Sequence, residues 1–361
     1  MIIGATGYGA TGSSVITDLL REFDDVQVYD DFEFSFAYRV DGLQDLEYHV
    51  MKQYSKGLSG DTAVKRFIEA SKYIYTPLIH KPCSPKQYTN IVNNFINEIV
   101  QVKFKGMESV DINSGNVLKN IVNLGMKKKI LPLFIERFTK KASYIWPNRE
   151  MYVCIHPENF YTAAKKYIYD IIESMGADMT KPIVLDQPFE GNAPEQSMKF
   201  FDSPKAIVID RDPRDLYLEV KKKGFREGRF FPHENVEDFV EYYKRLHTQT
   251  AKENSNSILI VRFEDMMYNY EESLARIVKF CSLGNHTNKR KYFNPARSIN
   301  NTQLIRRFPE EKENVQYIEK HLTEFLYPFE NYPDVVFSGE MLIGSAKYEQ
   351  NNNINTSKIC I

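Results

Sequence analysis

The amino-acid sequence predicts an α/β fold in which a mostly parallel sheet is flanked by helices and carries a large helical insertion. The first observation is a set of short apolar runs of strand length, at residues 1–5, 26–29, 182–185, 206–209 and 258–261. The second is that helical segments separate or follow these runs, as in parallel strands joined by crossover helices. The third is a long, mainly helical stretch from about residue 43 to 180.

The elements around these strands follow from periodicity and from start signals. A glycine-rich stretch follows the first strand, and the segment from Ser13 repeats apolar residues on one helical face. Inside the insertion, Pro157 and Glu158 mark the start of another helix. Later helices are predicted at residues 216–223, 236–252 and 270–280. The polar tail at residues 348–361 predicts disorder, which leaves residues 1–347 as a single domain.

Composition excludes several classes of protein. A chain of 361 residues with 42% apolar content can bury a sizeable core, and a net charge of -1 argues against a nucleic-acid partner. Its four cysteines form no CxxC pair, so neither a disulfide scaffold nor a thiolate metal site is expected, and we assign no metal. No apolar run of about 18 residues and no basic leader are present, so we expect a cytoplasmic protein without a membrane span.

The string GYGATGSS has the glycine spacing of a phosphate-binding loop and lies between a strand and a helix. Such a loop turns backbone N–H groups toward one centre, and the following helix adds its positive dipole end. The candidate nucleotide-binding residues are therefore Gly7, Tyr8, Gly9, Ala10, Thr11, Gly12, Ser13 and Ser14. Ser13 stands where a nucleoside triphosphatase carries its lysine, which makes ATP or GTP hydrolysis unexpected.

A second interpretation of the same region remains open at this point. The string GATGYGA, from Gly4 to Ala10, approximates the dinucleotide-binding pattern of a Rossmann fold. Asp30 then lies where the ribose-binding acid of an NAD(P)-dependent oxidoreductase is expected. A Tyr/Lys catalytic pair for that chemistry cannot be placed in the sequence.

The segment AIVIDRDPRDLYLEV decides between them. An apolar strand delivers Arg211 at its end, and Pro213 and Asp215 start a helix. A guanidinium held in this way can make bidentate contacts to a phosphate. Strand, RxPxD and helix together resemble the 3′-phosphate-binding segment of sulfotransferases that use 3′-phosphoadenosine-5′-phosphosulfate (PAPS). The alternative for Arg211 is a surface pair with an acid at the helix start.

Two later segments carry the same resemblance. The string ILIVRFEDMMYNYEESLARIVKFCSL is similar to the strand and helix that close the family's sheet, and RSINNTQLIRRF to a segment that folds over the nucleotide. The likeness covers residues 1–35 and 182–332 and is weak in the helical middle. It implies a P-loop NTPase-like fold, PAPS as donor with 3′-phosphoadenosine-5′-phosphate (PAP) as product, and a 5′-phosphosulfate held by the glycine loop. It also implies phosphate contacts from Arg211, and makes Ser298, Arg306 and Arg307 further candidates.

The sequence departs from the family at two positions. Family loops carry Lys or Arg where this chain has Ala10, and a serine where it has Glu219, eight residues after Arg211. The first change removes a charge that would stabilise the transferring group, and the second places an acid near a phosphate. Either donor affinity is weak or other basic residues compensate, and the candidates are Lys221, Arg226, Arg306 and Arg307.

Sulfuryl transfer also needs a base near the acceptor, and two positions at strand ends qualify. One is the acidic string with Asp30, Asp31 and Glu33, and the other is Asp186 with Gln187. The candidate catalytic residues are Asp31, Glu33 and Asp186, with the first cluster narrowly favoured. His80 and His233 are weaker candidates, because a lone histidine beside proline is usually structural.

The acceptor is a small molecule or a glycan, and the sequence does not identify it. Lysine-rich helices with Tyr144 and Trp146 are compatible with a saccharide cleft, since aromatic faces and cations suit such a ligand, and equally with ordinary core and surface. A non-catalytic nucleotide-binding relative that kept the fold and lost the loop charge at Ala10 is a further alternative.

Overall fold

The computed structural model describes residues 1–53, 57–75, 78, 81–106, 149–223, 231–248, 255–339 and 341. The chain divides into two compact units, one formed by Met1–Ala37 with Ala177–Ile361 and the other by Tyr38–Gly176. We call them the sheet unit and the inserted unit. The predicted tail at residues 348–361 lies outside the described residues.

The described strands are β1 (Ile2–Gly7), β2 (Gln27–Tyr29), β3 (Val102–Gly106), β4 (Arg149–Val153), β5 (Ile183–Asp186), β6 (Lys205–Asp210) and β7 (Ile258–Arg262). The described α-helices are α1 (Ser13–Leu20), α2 (Leu43–Glu47), α3 (Gly57–Ile74), α4 (Pro85–Ile99), α5 (Phe160–Ser174), α6 (Pro194–Met198), α7 (Pro213–Lys223), α8 (Val236–His247), α9 (Asp265–Tyr268), α10 (Tyr270–Cys281), α11 (Pro295–Ser298) and α12 (Lys312–His321). Short 3₁₀ turns join the last elements, among them Ile299–Asn301 and Leu304–Arg306.

The sheet unit contains five strands in the order β2-β5-β1-β6-β7, and each neighbouring pair is parallel. The predicted P-loop NTPase-like class, a parallel sheet flanked by helices, is confirmed. In a Rossmann fold the second strand lies beside the first, whereas here β5 separates β2 from β1. The strand order therefore argues against the dinucleotide-binding interpretation, and it moves Asp30 two strands away from the glycine loop.

The strand register determines what surrounds the end of β1. Ala5 lies opposite Asp186 on one side, and Gly7 lies opposite Ile209 on the other. Because the carboxyl ends of parallel strands meet at one edge, the residues after β5 and β6 flank the glycine loop. The site is built between these two strand ends.

The main core lies between the sheet and the helices that cover it. Ile16, Leu19 and Leu20 of α1 are fully buried against Ile3 and Ile207 of the sheet. Each such side chain contributes about 1.5–3 kcal/mol when it leaves water. The apolar face predicted from Ser13 onward is therefore the face that α1 buries. A second cluster surrounds α7 and α8 and includes Tyr217, Phe239 and Tyr243, with Leu304 from the late turns.

The inserted unit packs α4 against α5 through aromatic rings, with Phe95 and Tyr167 stacked at 5.1 Å between ring centroids. It is not wholly helical, because β3 and β4 form an antiparallel pair that the sequence did not predict. The residues of β3 are almost all exposed, so its sequence, VKFKG, lacks a buried apolar face. Main-chain pairing holds this ribbon, and the Asp61 carboxylate accepts a hydrogen bond from Tyr152 N at 2.8 Å.

Several predicted boundaries shift. The first strand continues to Gly7 instead of ending at residue 5, since it pairs on both sides up to the loop. The helix predicted from Pro157 begins at Phe160, after Asn159.

Among the described residues no helix combines the length and apolarity that a bilayer crossing needs. Cys83, Cys154 and Cys281 are buried free thiols.

Candidate active site

The glycine loop, residues 8–12, leaves β1 and returns into α1 with a backbone that only small residues allow. Gly9 and Gly12 have φ of 84° and 99°, and Ala10 has φ of 51°. A Cβ on Gly12 would lie 2.6 Å from the ring of Phe263. A Cβ on Gly7 would lie 2.2 Å from the Thr11 hydroxyl. The glycine pattern thus reflects real conformational and steric demands.

Hydrogen bonds organise the loop and leave the start of α1 open. Gly7 N donates to Gln187 Oε1 at 3.2 Å, and Tyr8 N donates to Thr11 Oγ1 at 3.2 Å. No side chain caps the N-terminus of α1, where Gly12 is the N-cap residue. The first amides of a helix are orphan donors beside its positive dipole end. This arrangement can bind a phosphate or phosphosulfate through Ser13 and the neighbouring backbone.

Tyr8 anchors the loop to the end of β6 through a histidine that sequence reasoning missed. Its ring stacks on His247 at 4.1 Å, and His247 stacks in turn on Tyr243 at 4.1 Å. His247 Nε2 lies 3.2 Å from Asp210 Oδ1. Burial by itself would raise the pKa of Asp210, but the hydrogen bond from His247 and the charge of Arg262 outweigh it and lower that pKa. The sequence signal for this stack is the four-residue spacing of Tyr243 and His247, which places both on one face of α8.

Asp186, at the carboxyl end of β5, is the acid that the fold places against the loop. Ser13 donates a hydrogen bond to its carboxylate, and Gln187 Nε2 donates to Ser13 Oγ at 3.4 Å. Asp186 Oδ1 is buried with no hydrogen-bond partner among the described residues. Burial raises the pKa of Asp186 to about 7, and the charges of Glu33 and Asp30 add to that shift. A carboxyl group with this pKa is half ionised near neutrality and suits a general base.

The acidic string after β2 holds a different arrangement. Asp31 and Glu33 are exposed, and Asp30 is buried and paired with Arg21. Phe34 N donates to the Asp186 carbonyl at 2.7 Å, which ties the string to the end of β5. Between the two predicted base positions, the geometry favours Asp186, while Glu33 acts on it through charge.

Arg211 follows β6 directly, as predicted, but its guanidinium is enclosed. The side chain is 1% exposed and lies over the ring of Phe263 at 4.6 Å. Its Nη1 atom lies 2.6 Å from Glu219 Oε2, and its Nη2 donates to Asn301 O at 2.6 Å. Nη1 also reaches the Ala10 carbonyl at 3.4 Å. The acid that the sequence placed near a phosphate therefore pairs with the phosphate-binding candidate itself.

The rest of the RxPxD segment fixes neighbouring backbone. The Asp215 carboxylate accepts hydrogen bonds from Gln303 N at 2.8 Å and Leu304 N at 2.7 Å. Asp212 accepts from Tyr327 N at 2.7 Å and pairs with Arg214. Buried carboxylates that satisfy main-chain amides in this way are structural. They hold the segment at residues 299–306 against α7, where it contacts Arg211 through Asn301.

The other predicted phosphate ligands have partners elsewhere. Ser298 is buried at the end of α11, Arg306 pairs with Asp334, and Lys221 pairs with Glu311 at 2.7 Å. Arg307 donates to the Gly339 carbonyl at 2.9 Å. None of these contacts brings a compensating cation to Ala10, whose methyl packs against the apolar cluster around α7.

Arg306 instead lines a cavity of about 240 Å³ together with Arg214, Tyr332 and Asp334, away from the loop residues. His233 Nδ1 lies 3.1 Å from the Phe231 carbonyl, a local contact. His80, Tyr144, Trp146 and Arg226 lie outside the described residues. The described part of the chain contains no group of three His, Cys, Asp or Glu side chains arranged for a metal ion.

Comparison with known proteins gives one sequence match. Residues 125–286 match the family model described as "Sulfotransferase family", which confirms the resemblance drawn from the motifs. The match includes β5, β6 and β7 and extends into residues 125–181, where the resemblance had looked weak. It does not extend over the glycine loop. No curated protein matches the chain.

Nine chains among the solved structures match. The sulfotransferase domain of the Synechococcus PCC 7002 olefin synthase shares 11% identity over 82% of this chain and 84% of that chain, with a TM-score of 0.36. The sulfotransferase domain of the curacin biosynthetic pathway shares 9% over 79% and 74%, with a TM-score of 0.31. Retinol dehydratase, in complex with androsterone and inactive cofactor PAP, shares 12% over 92% and 83%, with a TM-score of 0.35.

Proposed function

We propose that this chain, whose residues 125–286 match the sulfotransferase family model, transfers a sulfuryl group from PAPS to a hydroxyl or amine of an acceptor. One observation carries the proposal. The uncapped start of α1, the Asp186 carboxyl group with its raised pKa and the Arg211 guanidinium lie at three neighbouring strand ends of one parallel sheet. An anion site, a base and a cation are the groups that this reaction needs.

The glycine loop binds the 5′-phosphosulfate in this proposal. Backbone donors at Ser13 and Ser14 and the dipole of α1 carry the charge stabilisation, because Ala10 supplies none. Gln187 holds β1 and α1 together by accepting from Gly7 N and donating to Ser13 Oγ. The loop is therefore fixed before the donor binds, which avoids a reorganisation cost during transfer.

Asp186 acts as the general base in this proposal. The acceptor oxygen or nitrogen attacks sulfur, its proton passes to the Asp186 carboxylate, and the bond between sulfur and the phosphate oxygen breaks to release PAP. The raised pKa of Asp186 and its unpartnered Oδ1 atom, next to the glycine loop, support this role. Asp31 and Glu33 remain weaker candidates on the exposed side of the same edge.

Arg211 is the proposed ligand of the donor's 3′-phosphate. Its place after β6 suits that role, but the ion pair between Arg211 and Glu219 must break before the phosphate can bind. Ser298, which is buried at the end of α11, and Arg306, which pairs with Asp334, remain further candidate contacts of the donor. Weak donor affinity is the expected consequence.

The test is donor-dependent release of PAP with labelled PAPS and a panel of glycan, lipid and sterol acceptors. Thermal melting with PAP and, separately, with NADP shows which nucleotide the fold binds. Stabilisation by PAP together with label transfer supports the proposal. Binding of PAP without transfer to any acceptor indicates a non-catalytic relative, and stabilisation by NADP alone contradicts the proposal.

A saccharide acceptor and a cytoplasmic location complete the proposal. The first rests on the aromatic and lysine content of the inserted region, and the second on cysteine usage. The acceptor panel and fractionation of cells expressing a tagged chain test them directly.

A further inference from the structure

We propose that Glu219 is an internal competitor for the donor's 3′-phosphate, so that this chain gains little affinity from that phosphate and tolerates donors that lack it. The inference rests on the proposed function, because it assigns a specificity-determining residue to the same site. The observation behind it is the short, buried contact between Glu219 Oε2 and Arg211 Nη1, at 2.6 Å.

The pair is enclosed on every side that the structure describes. Glu219 is 7% exposed, and its Oε2 also accepts from Asn301 Nδ2 at 3.1 Å. Asn301 in turn accepts from Arg211 Nη2 through its carbonyl oxygen. Charge-assisted hydrogen bonds thus join the three residues. The Nε atom of Arg211 has no partner among the described residues, so it is the guanidinium donor left for a further ligand.

The geometry of α7 makes the competition direct. Arg211 precedes the helix and Glu219 lies two turns along it, on the face that looks back toward the guanidinium. A phosphate that binds Arg211 bidentately needs the donors that the carboxylate holds. Two anions cannot share one buried guanidinium without a large electrostatic cost. The Glu219 carboxylate must therefore move away from Arg211 before a 3′-phosphate can bind.

The experiment measures how much the 3′-phosphate adds to binding. Isothermal titration calorimetry gives Kd for PAP and for adenosine 5′-phosphate, which lacks that group, on the wild type and on Glu219→Gln. We expect the two nucleotides to bind the wild type with similar Kd. In Glu219→Gln we expect PAP to bind about tenfold more tightly or better, because the guanidinium is released, with adenosine 5′-phosphate unchanged.

A matched control removes the same charge from a similar pair. Glu319 pairs with Arg214 Nη1 at 3.0 Å and is outside the loop, the base and the Arg211 set. Glu319→Gln should leave the PAP preference as in the wild type. An equal gain in both variants would show that net charge alone is responsible and would overturn the inference.

A second readout covers the loss of stability that Glu219→Gln brings by leaving Arg211 without a counter-charge. Addition of PAP should raise the melting temperature of this variant more than that of the wild type, since the phosphate replaces the lost carboxylate. Glu219→Ser, a smaller and neutral side chain, should behave in the same way.

The outcomes separate this inference from the proposed function. If PAP binds both forms with the same preference over adenosine 5′-phosphate, Glu219 is not a competitor, while the donor assignment stands. If neither nucleotide binds any variant, the donor assignment itself fails and the inference with it.

Discussion

Asp186 and Arg211 end the two strands that flank β1, and their surroundings differ in one respect. The Asp186 carboxylate keeps an unpartnered, buried oxygen, and its pKa is raised to about 7. The Arg211 guanidinium is held by Glu219, Asn301 and the ring of Phe263. One strand end therefore places its carboxyl group near like charges, while the other pairs its guanidinium with an opposite charge.

This difference distinguishes Asp186, which is available for proton transfer, from Arg211, which must lose Glu219 before it can bind a phosphate. A buried polar atom without a hydrogen-bond partner lowers the stability of the folded state. A catalytic role explains why such an atom is present. Removing one partner of a buried ion pair is costly, because it leaves the other charge buried without its counter-charge.

Asp186→Asn should lower the rate of sulfuryl transfer by about 10²–10⁴-fold, the usual range for loss of a general base. Binding of PAP, measured by calorimetry, should be retained. The wild-type rate should rise with pH through about 7, because the base must be ionised. A variant with wild-type turnover would show that another group takes the proton.

The same substitution should stabilise the protein above neutral pH. The folded pKa of Asp186 lies above that of an unfolded aspartate, so the native state binds more protons between the two values. The free energy of unfolding contributed by this group therefore falls as pH rises toward 7. At pH 8 the Asn variant should melt at least about 2 °C higher than the wild type, whereas at pH 4 the two should converge.

Arg211→Ala should destabilise the protein by about 3–5 kcal/mol, since it leaves Glu219 buried without its counter-charge. Urea denaturation measures this loss, and PAP should bind no more tightly than adenosine 5′-phosphate. The double variant Arg211→Met with Glu219→Met should recover most of the stability but should gain no preference for PAP. An equal loss of unfolding free energy in the single and the double variant would contradict the proposed pairing of Arg211 with Glu219.

Gly12→Ala should destabilise the sheet unit by about 1–3 kcal/mol. The reason is the left-handed backbone at Gly12 together with a Cβ only 2.6 Å from the Phe263 ring. The guanidinium of Arg211 lies over the same ring, so a shift of Phe263 in Gly12→Ala would also disturb Arg211. Thermal unfolding is the measurement, and Gly339→Ala is the control, because its Cβ meets nothing within 4 Å.

Glu33→Gln should have the smallest effect. Its charge helps to raise the pKa of Asp186, so the midpoint of the rate profile should move to lower pH while the rate at high pH stays unchanged. A collapse of the rate at all pH values would instead make Glu33 the base. Asp31→Ala should leave both the midpoint and the plateau in place.

The fold was predictable where a strand is buried on both faces. The runs that became β5, β6 and β7 lie within a parallel sheet, and such strands are continuous apolar segments. The pair β3 and β4 escaped prediction because exposed strands carry lysine and glutamate and show no apolar signal. Strand order was also out of reach, since adjacency depends on tertiary packing and not on local pattern.

The candidate site divides in the same way. The glycine loop and the place of Arg211 follow from local motifs, and both were predicted. The enclosure of Arg211 by Glu219 and Asn301 joins residues far apart in the chain, and the stack of Tyr8 on His247 is equally non-local. The sequence favoured Asp31 and Glu33 over Asp186 as the base. The choice between them depends on which carboxyl group is buried, and burial is known only from the folded chain.

Strand β1 is bonded along both edges, and the loop that leaves it is held by Gln187 and by the Tyr8 stack. None of these supports involves the methyl group of Ala10. The shape of this loop thus does not require a charged side chain at position 10, so its shape and its electric charge are separate properties.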